Sequence, residues 1–298
     1  MFSVIIPAYN EESVIKSTIE ELKKIFIETE SLDAEIILVD DGSSDKTSEA
    51  SEQSGAVTIR HPHNIGYGRS LKDGILAAKH DTIVITDADG TYPLEMIPAL
   101  LKEYKKGFNM VVGARQGENY DESFKKKILR LILKKLVEFT AGRKIPDINS
   151  GLRVFSKKEI IPYFSKLCDT FSFTTSLTLA YMMNGKFVSY IPINYNKREG
   201  KTKVRLFRDS VRTLQFIVEA ILFYNPIKIF IVFCCGLLSA ALLNFILSFI
   251  FRLTITFYLG LGCILLSILM FGLGLISVQL KHILSSALGI NKQHDDKS

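Results

Sequence analysis

Two stretches near the C-terminus limit the fold more than any other feature. From Ile229 to Phe251, and again from Ile255 to Leu280, no charged residue appears. Each run exceeds the roughly 20 residues that a helix needs to cross about 30 Å of hydrocarbon. Neither shows the polar stripe that a helix keeps when it packs one face on a soluble core, which argues against the alternative of two buried core helices. The break around Arg252 is too short to hold a domain, so the runs predict a transmembrane hairpin with both ends on one side. Lys197, Arg198, Lys201, Lys203, Arg205, Arg208, Arg212 and Lys228 precede the first run, Lys281 follows the second, and the break carries only Arg252. Excess Lys and Arg mark the cytoplasmic side. The expectation is a multi-pass cell-membrane protein with its N-terminal part and both termini in the cytoplasm. Its membrane helices offer a surface for self-association.

The chain has 298 residues and a formal net charge of +6, which points to an anionic partner without choosing among nucleic acid, lipid and phosphorylated substrate. The basic residues cluster toward the apolar runs and no recognition motif accompanies them, so nucleic acid is not expected. Cys168, Cys234, Cys235 and Cys263 lack paired metal-ligand spacing and read as small apolar residues, with no disulfide framework expected. The opening "MFSVIIPAYNEE" has neither the basic start nor the apolar length of a secretory signal.

Before the apolar runs the chain alternates strand and helix patterns. "FSVIIPAYN", "EIILVDD", "AVTIR", "TIVITDAD" and "NMVVGAR" read as strands. Between them, Ser13 to Phe26 has helical apolar spacing, Asp45 to Ser54 reads as a short helix, and "NIGYGRSLKDGILAAK" as a loop entering a helix. This alternation predicts an α/β fold with a mostly parallel, covered sheet. The predicted organisation is a catalytic domain over 1–204, a juxtamembrane amphipathic segment over 205–228, a hairpin over 229–280 with spans 229–251 and 255–280, and a tail over 281–298. Ligands of such sheets collect at the carboxyl ends of strands. Tyr9, Asn10, Glu11, Asp40, Asp41, Asp87, Asp89 and Arg115 fall there.

Asp87 and Asp89 are spaced i, i+2, which in a strand points both carboxylates to one face. Adjacent anions repel unless a cation lies between them or one is protonated. Oxygen ligands of this kind suit Mg²⁺ or Mn²⁺, with a substrate phosphate completing the shell. Gly90 allows close approach of a ligand to the backbone. The competing reading is that these acids cap helices or brace turns, more so for Asp40 and Asp41 ahead of "GSSDKT". Pro93 and Leu94 open a helix with Thr91 or Tyr92 as N-cap, which leaves Asp87 and Asp89 for other work. His61 and His63, around Pro62, read as surface residues.

"VIIPAYNEE", "LVDDGSSDKT", "NIGYGRSLKDGI" and "ITDADGTYP", in that order, closely resemble family 2 glycosyltransferases of the GT-A fold, a Rossmann-like, mostly parallel sheet. "NSGLRVF" and "KREGKTK" narrow the resemblance to the polyprenyl-phosphate group, the dolichol-phosphate mannose and glucose synthases. It covers about residues 2 to 205, and a membrane hairpin fits the group. The resemblance implies that Pro7, Ala8, Tyr9 and Glu11, with Val39, Asp40 and Asp41, hold the nucleotide base and ribose. It implies that Asp87, Ala88 and Asp89 form the Asp-x-Asp motif for the divalent cation and donor diphosphate, and that Arg198 and Lys203 close over that diphosphate. The mannose synthases often carry Gln where Thr91 stands, which tilts the donor toward UDP-glucose or UDP-N-acetylglucosamine, with GDP-mannose as the alternative.

A lipid phosphate is already anionic and needs cations to place it rather than a strong base. Arginine suits that task because its planar fork binds phosphate oxygens in pairs. Arg115 matches the family's acceptor-phosphate arginine, Arg130 is a second, and Arg153 and Lys201 are further candidates. Phe124, Ile128, Leu131, Ile132, Leu136 and Phe139 share one helical face and Lys127, Arg130, Lys134 and Lys135 largely another, a pattern suited to the headgroup layer and equally to a core helix with a solvated face. The glycines of "GYGRSLKDG" match neither the dinucleotide nor the Walker spacing and read as a tight turn near the nucleotide. Processive polysaccharide synthases, which carry a Trp in their chain-binding motif, are excluded by the absence of Trp. "PAYNEES" lacks the basic Gly-rich loop of nucleotidyltransferases. A non-catalytic scaffold on the same fold is the alternative of another class, and Asp87 and Asp89 speak against it. The expected activity is metal-dependent, inverting transfer of one sugar from a nucleotide-diphosphate sugar to a polyprenyl (dolichyl) phosphate at the cytoplasmic membrane face.

Overall fold

The computed structural model of the chain describes residues 1–29, 34–116, 124–196, 214–215, 217–219, 221–223 and 225–287, without the side chains of 124–130, 132–133 and 284–287. The chain divides into two compact units, Met1–Ile217 and Val218–Ser298. Half of the expected juxtamembrane segment, residues 205–213 among them, and the tail beyond residue 287 lie outside the described residues.

The first unit is built on a seven-stranded sheet of order β3-β2-β1-β4-β6-β5-β7. Strand β1 (Ser3–Ala8) lies parallel to β2 (Glu35–Asp40) and β4 (Thr82–Ile85), and β2 lies parallel to β3 (Val57–Arg60). Strand β5 (Met110–Gln116) lies parallel to β7 (Val188–Asn194). Between them β6 (Arg153–Ser156) runs antiparallel to both β4 and β5. This short strand was not foreseen from "NSGLRVF", because four residues headed by an Arg give no local strand signal.

Helices α1 (Ile15–Glu28), α2 (Thr47–Gln53), α3 (Tyr67–Ala77), α4 (Ile97–Tyr104), α5 (Phe124–Ala141), α6 (Lys157–Ile160) and α7 (Phe173–Met183) complete the unit. The period of two along β1 sorts its side chains into two cores. Val4, Ile6 and Ala8 join Ile15, Ile19 and Leu22 of α1 and Ile97 and Leu100 of α4. Ile5 joins Leu71 and Ile75 of α3 and Phe173 and Leu177 of α7. A sheet covered on both faces needs near-continuous apolar strands, as "VIIPA" after the buried Ser3 supplies. Function is thereby confined to strand ends and loops.

In the second unit α8 (Ile227–Phe251) and α9 (Thr254–Ala287) form the expected hairpin. The turn is tighter than the sequence suggested: Arg252 takes a left-handed conformation at φ 52°, and the Ser248 and Thr256 hydroxyls both donate to the Leu253 carbonyl. Both helices have a mean hydropathy of 2.5, long and apolar enough to cross a membrane. Their apolar side chains face outward, with Phe249 88% and Ile268 65% exposed. Inside the hairpin, Cys234 Sγ donates to the Ser267 carbonyl and Ser267 Oγ to the Cys234 carbonyl. Apolar groups outside and small polar groups inside suit hydrocarbon as solvent.

Candidate active site

At the ends of β1 and β2 two loops clasp one another. The Asn10 N–H donates to Ser43 Oγ, Asn10 Oδ1 accepts from the Ser44 N–H, and the Glu11 N–H donates to Thr47 Oγ1. The Glu12 and Asp45 carboxylates exchange bonds with each other's loop, to the Lys46 and Glu12 N–H groups. Pro7, Ala8 and Val39 are buried ladder residues, with Pro7 opposite Val39 and Ala8 opposite Asp40.

Asp40 and Asp41, expected at the base and ribose, have partners within the chain. Asp40 is fully buried and accepts from the Ser43 N–H and the Ser48 hydroxyl. Asp41 is buried and accepts from the Ile65 and Gly66 N–H groups and from His61 Nδ1 at 2.9 Å. His61 is therefore no surface residue. It is 7% exposed, with Nε2 3.1 Å from Asp73 Oδ2, because the end of β3 sets its ring between two carboxylates. The glycines of the α3 entry serve packing: a Cβ on Gly68 would stand 2.2 Å from the Cys168 carbonyl oxygen. An open cleft lined by Gly42, Ser43, Arg60, His61 and Pro62 lies beside these loops.

Strand β4 ends at Ile85, so Asp87 and Asp89 sit on the loop beyond it and the strand pleat is not what aligns them. Each carboxylate is oriented by a hydroxyl. Tyr67 donates to Asp87 Oδ1 at 2.8 Å, and Thr91 donates to Asp89 Oδ1 from both its hydroxyl, at 2.5 Å, and its N–H. Thr91 is thus no N-cap. The residue before the 3₁₀ turn Leu94–Met96 is Pro93, and the Tyr92 hydroxyl accepts from the Gly151 N–H instead. Ala88 is buried, and its carbonyl accepts from Thr18.

Arg115, near the end of β5, makes a paired ion bridge to Asp147: Nε to Oδ2 at 2.7 Å and Nη2 to Oδ1 at 2.9 Å. Its guanidinium stands 5.4 Å from the centre of the Tyr195 ring. Burial alone would raise the Asp147 carboxyl, but the Arg115 charge and the hydrogen bonds hold it below its ordinary value. Tyr195 and Tyr92 meet edge to face at 5.3 Å. Burial pushes both phenols up, with Arg115 and Asp87 acting on each, Asp147 on Tyr92 and Asp89 on Tyr195. The two rings link Arg115, which lies against Tyr195, to Gly151, which the Tyr92 hydroxyl holds beside Asp87.

Arg153 does not join them as an acceptor ligand. It is fully buried, and its guanidinium donates to the Ser150 and Ile148 carbonyls and to Thr178 Oγ1, bracing the 148–150 turn. Arg130 lies on α5, but its side chain is outside the described residues, as are Arg198, Lys201 and Lys203 entirely. Leu131 and Phe139 of α5 are exposed. Tyr67, Tyr92, Asp147 and Gly151 were missed from sequence. The polar run "PDINSG" before an apolar strand was the one available hint.

Among the described residues no group of three His, Cys, Asp or Glu could hold a metal ion. The two oxygen-donor residues Asp87 and Asp89 suit a hard divalent cation that shares its shell with substrate oxygens. When bound, such a cation would neutralise charge on a diphosphate leaving group.

Residues 3–164 match the profile of glycosyl transferase family 2. A dolichyl-phosphate hexose transferase of Haloferax volcanii is 28% identical over 74% of this chain and 93% of its own length. An undecaprenyl-phosphate 4-deoxy-4-formamido-L-arabinose transferase of an Enterobacter strain is 30% identical over 78% of this chain and 70% of its own. Against other relatives the chain spans less, 63% and 52% of their lengths. Glucosyl-3-phosphoglycerate synthase from Mycobacterium tuberculosis, solved with Mn²⁺, UDP and glucosyl-3-phosphoglycerate, shares the fold at a TM-score of 0.58 and 20% identity, covering 74% of this chain and 79% of that one. The chain belongs to glycosyl transferase family 2 and is a nucleotide-sugar-dependent glycosyltransferase related to the dolichyl- and polyprenyl-phosphate sugar transferases.

Proposed function

We propose that the protein transfers one sugar from a UDP-sugar, glucose or N-acetylglucosamine, to a polyprenyl (dolichyl) phosphate at the cytoplasmic face of the membrane. The observation that carries this reading is the run of contacts from Asp87 through Gly151 and Tyr92 to Tyr195 and Arg115, in a chain with two membrane-length helices. Asp87 and Asp89 hold Mg²⁺ or Mn²⁺ with the donor diphosphate. The base and ribose lie along the clasped loops, near Tyr9 and Glu11. A phosphate oxygen of the acceptor forms the new bond to the anomeric carbon as the bond to the nucleoside diphosphate breaks, on the opposite face, with inversion to a β-linked product. Arg115, steadied by Asp147, draws the acceptor phosphate, with Arg130 as its second cation and Arg198 and Lys203 over the donor diphosphate. The relatives named for dolichyl and undecaprenyl phosphate support the acceptor class. Thr91 stands where the resembling mannose synthases often carry Gln, and that departure from their pattern supports UDP over GDP-mannose.

The test supplies radiolabelled UDP-glucose, UDP-N-acetylglucosamine and GDP-mannose, each with dolichyl or undecaprenyl phosphate and Mn²⁺, and extracts the lipid. A labelled, mild-acid-labile lipid from a UDP-sugar is the expected result; label in no lipid from any donor overturns the reading. Arg115→Ala is expected to raise KM for the lipid phosphate more than for the donor, and equal loss of both would remove Arg115 from the acceptor site.

A further inference from the structure

The β4–β6 ladder pairs Thr82 with Ser156 and Ile85 with Arg153. Carried two residues further in the same register, it sets Asp87 opposite Gly151. The contact there is close. A Cβ on Gly151 would stand 2.8 Å from Asp87 Oδ1, 3.0 Å from Oδ2 and 3.0 Å from Cγ. Both carboxylate oxygens are involved, so rotating the carboxylate about its own bond gives no escape, and the side chain would have to leave its rotamer. Gly151 cannot easily retreat, since its N–H is tied to the buried Tyr92 hydroxyl at 2.6 Å.

Tyr67 closes the seat from the other side. Its hydroxyl donates to Asp87 Oδ1 at 2.8 Å, and its ring stacks on Phe171 at 5.8 Å with 16° between planes. Tyr67 is the first residue of α3, and the N–H before it, that of Gly66, is held by Asp41. The buried acid at the end of β2 thus anchors the turn that brings Tyr67 to the acid beyond β4.

We propose that Gly151 and Tyr67 are positioning residues, which set the Asp87 carboxylate for a divalent cation carrying a nucleoside diphosphate. This rests on the metal-binding reading of Asp87 and Asp89 given above. Groups that orient a metal ligand without touching the metal are commonly worth about 10- to 100-fold in metal affinity. Gly151→Ala, which evicts the carboxylate, belongs at the upper end, and Tyr67→Phe, which deletes one oxygen, at the lower.

The experiment uses the full chain in detergent micelles. Free Mn²⁺ is followed by electron paramagnetic resonance during titration, with UDP and separately with GDP, and KM for the lipid phosphate is measured alongside. The expected result is weaker Mn²⁺ binding in both variants, roughly 100-fold for Gly151→Ala and tenfold for Tyr67→Phe, with little change in acceptor KM. If Gly151→Ala loses its far-ultraviolet circular dichroism, Tyr67→Phe decides alone. Mn²⁺ affinity equal to the unmodified protein's in a folded Tyr67→Phe overturns the seat while leaving the metal reading intact. Failure of the unmodified protein to bind Mn²⁺ with either nucleotide overturns the metal reading and the seat together.

Discussion

The sheet ends in two acidic pairs that look alike in sequence and fare differently in the fold. At the end of β2, Asp40 and Asp41 are drawn inward, where the Ser43, Ile65 and Gly66 N–H groups, the Ser48 hydroxyl and the His61 ring take up their oxygens. Beyond β4, Asp87 and Asp89 are each met by a hydroxyl, from Tyr67 and Thr91, and Asp87 rests against a glycine where any other residue would intrude. A carboxylate bound by several N–H donors is a brace, since those bonds are strong and costly to leave unmade. Asp87, on a loop beyond its strand, is only partly buried, so a ligand could reach it beside the Tyr67 hydroxyl. On the proposed metal-binding reading of Asp87 and Asp89, the two pairs divide stability from chemistry within one edge of one sheet.

The largest expected effect tests the second pair. Asp89→Ala is expected to abolish sugar transfer with Mn²⁺ supplied. Asp89→Asn, which keeps an oxygen for Thr91, is expected to do the same while leaving the thermal midpoint within a few degrees of the unmodified value, about what 1 kcal/mol shifts in a domain of this size. Near-normal turnover in either variant would remove Asp89 from the reaction centre and erase the contrast. The next effect tests the first pair. Asp41→Ala leaves the Ile65 and Gly66 N–H groups and the buried His61 without their acceptor, a loss of about 3 to 5 kcal/mol by analogy with breaking a buried pair. The midpoint of thermal unfolding, read by circular dichroism, is expected to fall by roughly 10 °C. A midpoint unchanged in Asp41→Ala would mean that the brace is not one.

The same contrast explains what could be read in advance. Features set by near neighbours were legible: the apolar spacing of Ile15, Ile19, Leu22 and Ile25 on α1, the alternation of β1 between two cores, and the uncharged hairpin helices. Features set by distant partners were not. Nothing near His61 reveals that the ring closes between Asp41 and Asp73. Arg153 reads as a further acceptor cation, yet its partners Ile148, Ser150 and Thr178 bury it in a strand that local pattern does not announce. Asp147 meets Arg115 across 32 positions of sequence. Asp87 and Asp89 were found because spacing exposed them, although the geometry behind that spacing is a loop held by Tyr67, Thr91 and Gly151 rather than a pleat.

Asp147 sharpens the comparison, with the smallest expected effect. It pairs with Arg115 but is treated like Asp41, buried and bound by Arg115 and the Asn149 N–H. Its carboxyl is held below its ordinary value in the folded protein. A depressed folded value means that the bridge stabilises fully above the unfolded carboxyl's range, near pH 4, and that this contribution is lost as pH falls through the folded value. Asp147→Asn keeps the shape and removes the charge. The unmodified protein is expected to exceed the variant by about 2 kcal/mol at pH 6 to 7, as for hydrogen bonds to a charged group. The gap is expected to narrow on acidification below about pH 4, as the carboxyl becomes neutral like the amide. Thermal midpoints of both proteins across pH 3 to 7 read this directly. A gap that stays constant over that range would show that charge on Asp147 does not hold Arg115 in place. The steadying of Arg115 would then have to come from Tyr195, whose ring lies against the guanidinium, and Asp147 would leave the class of braces that Asp41 defines.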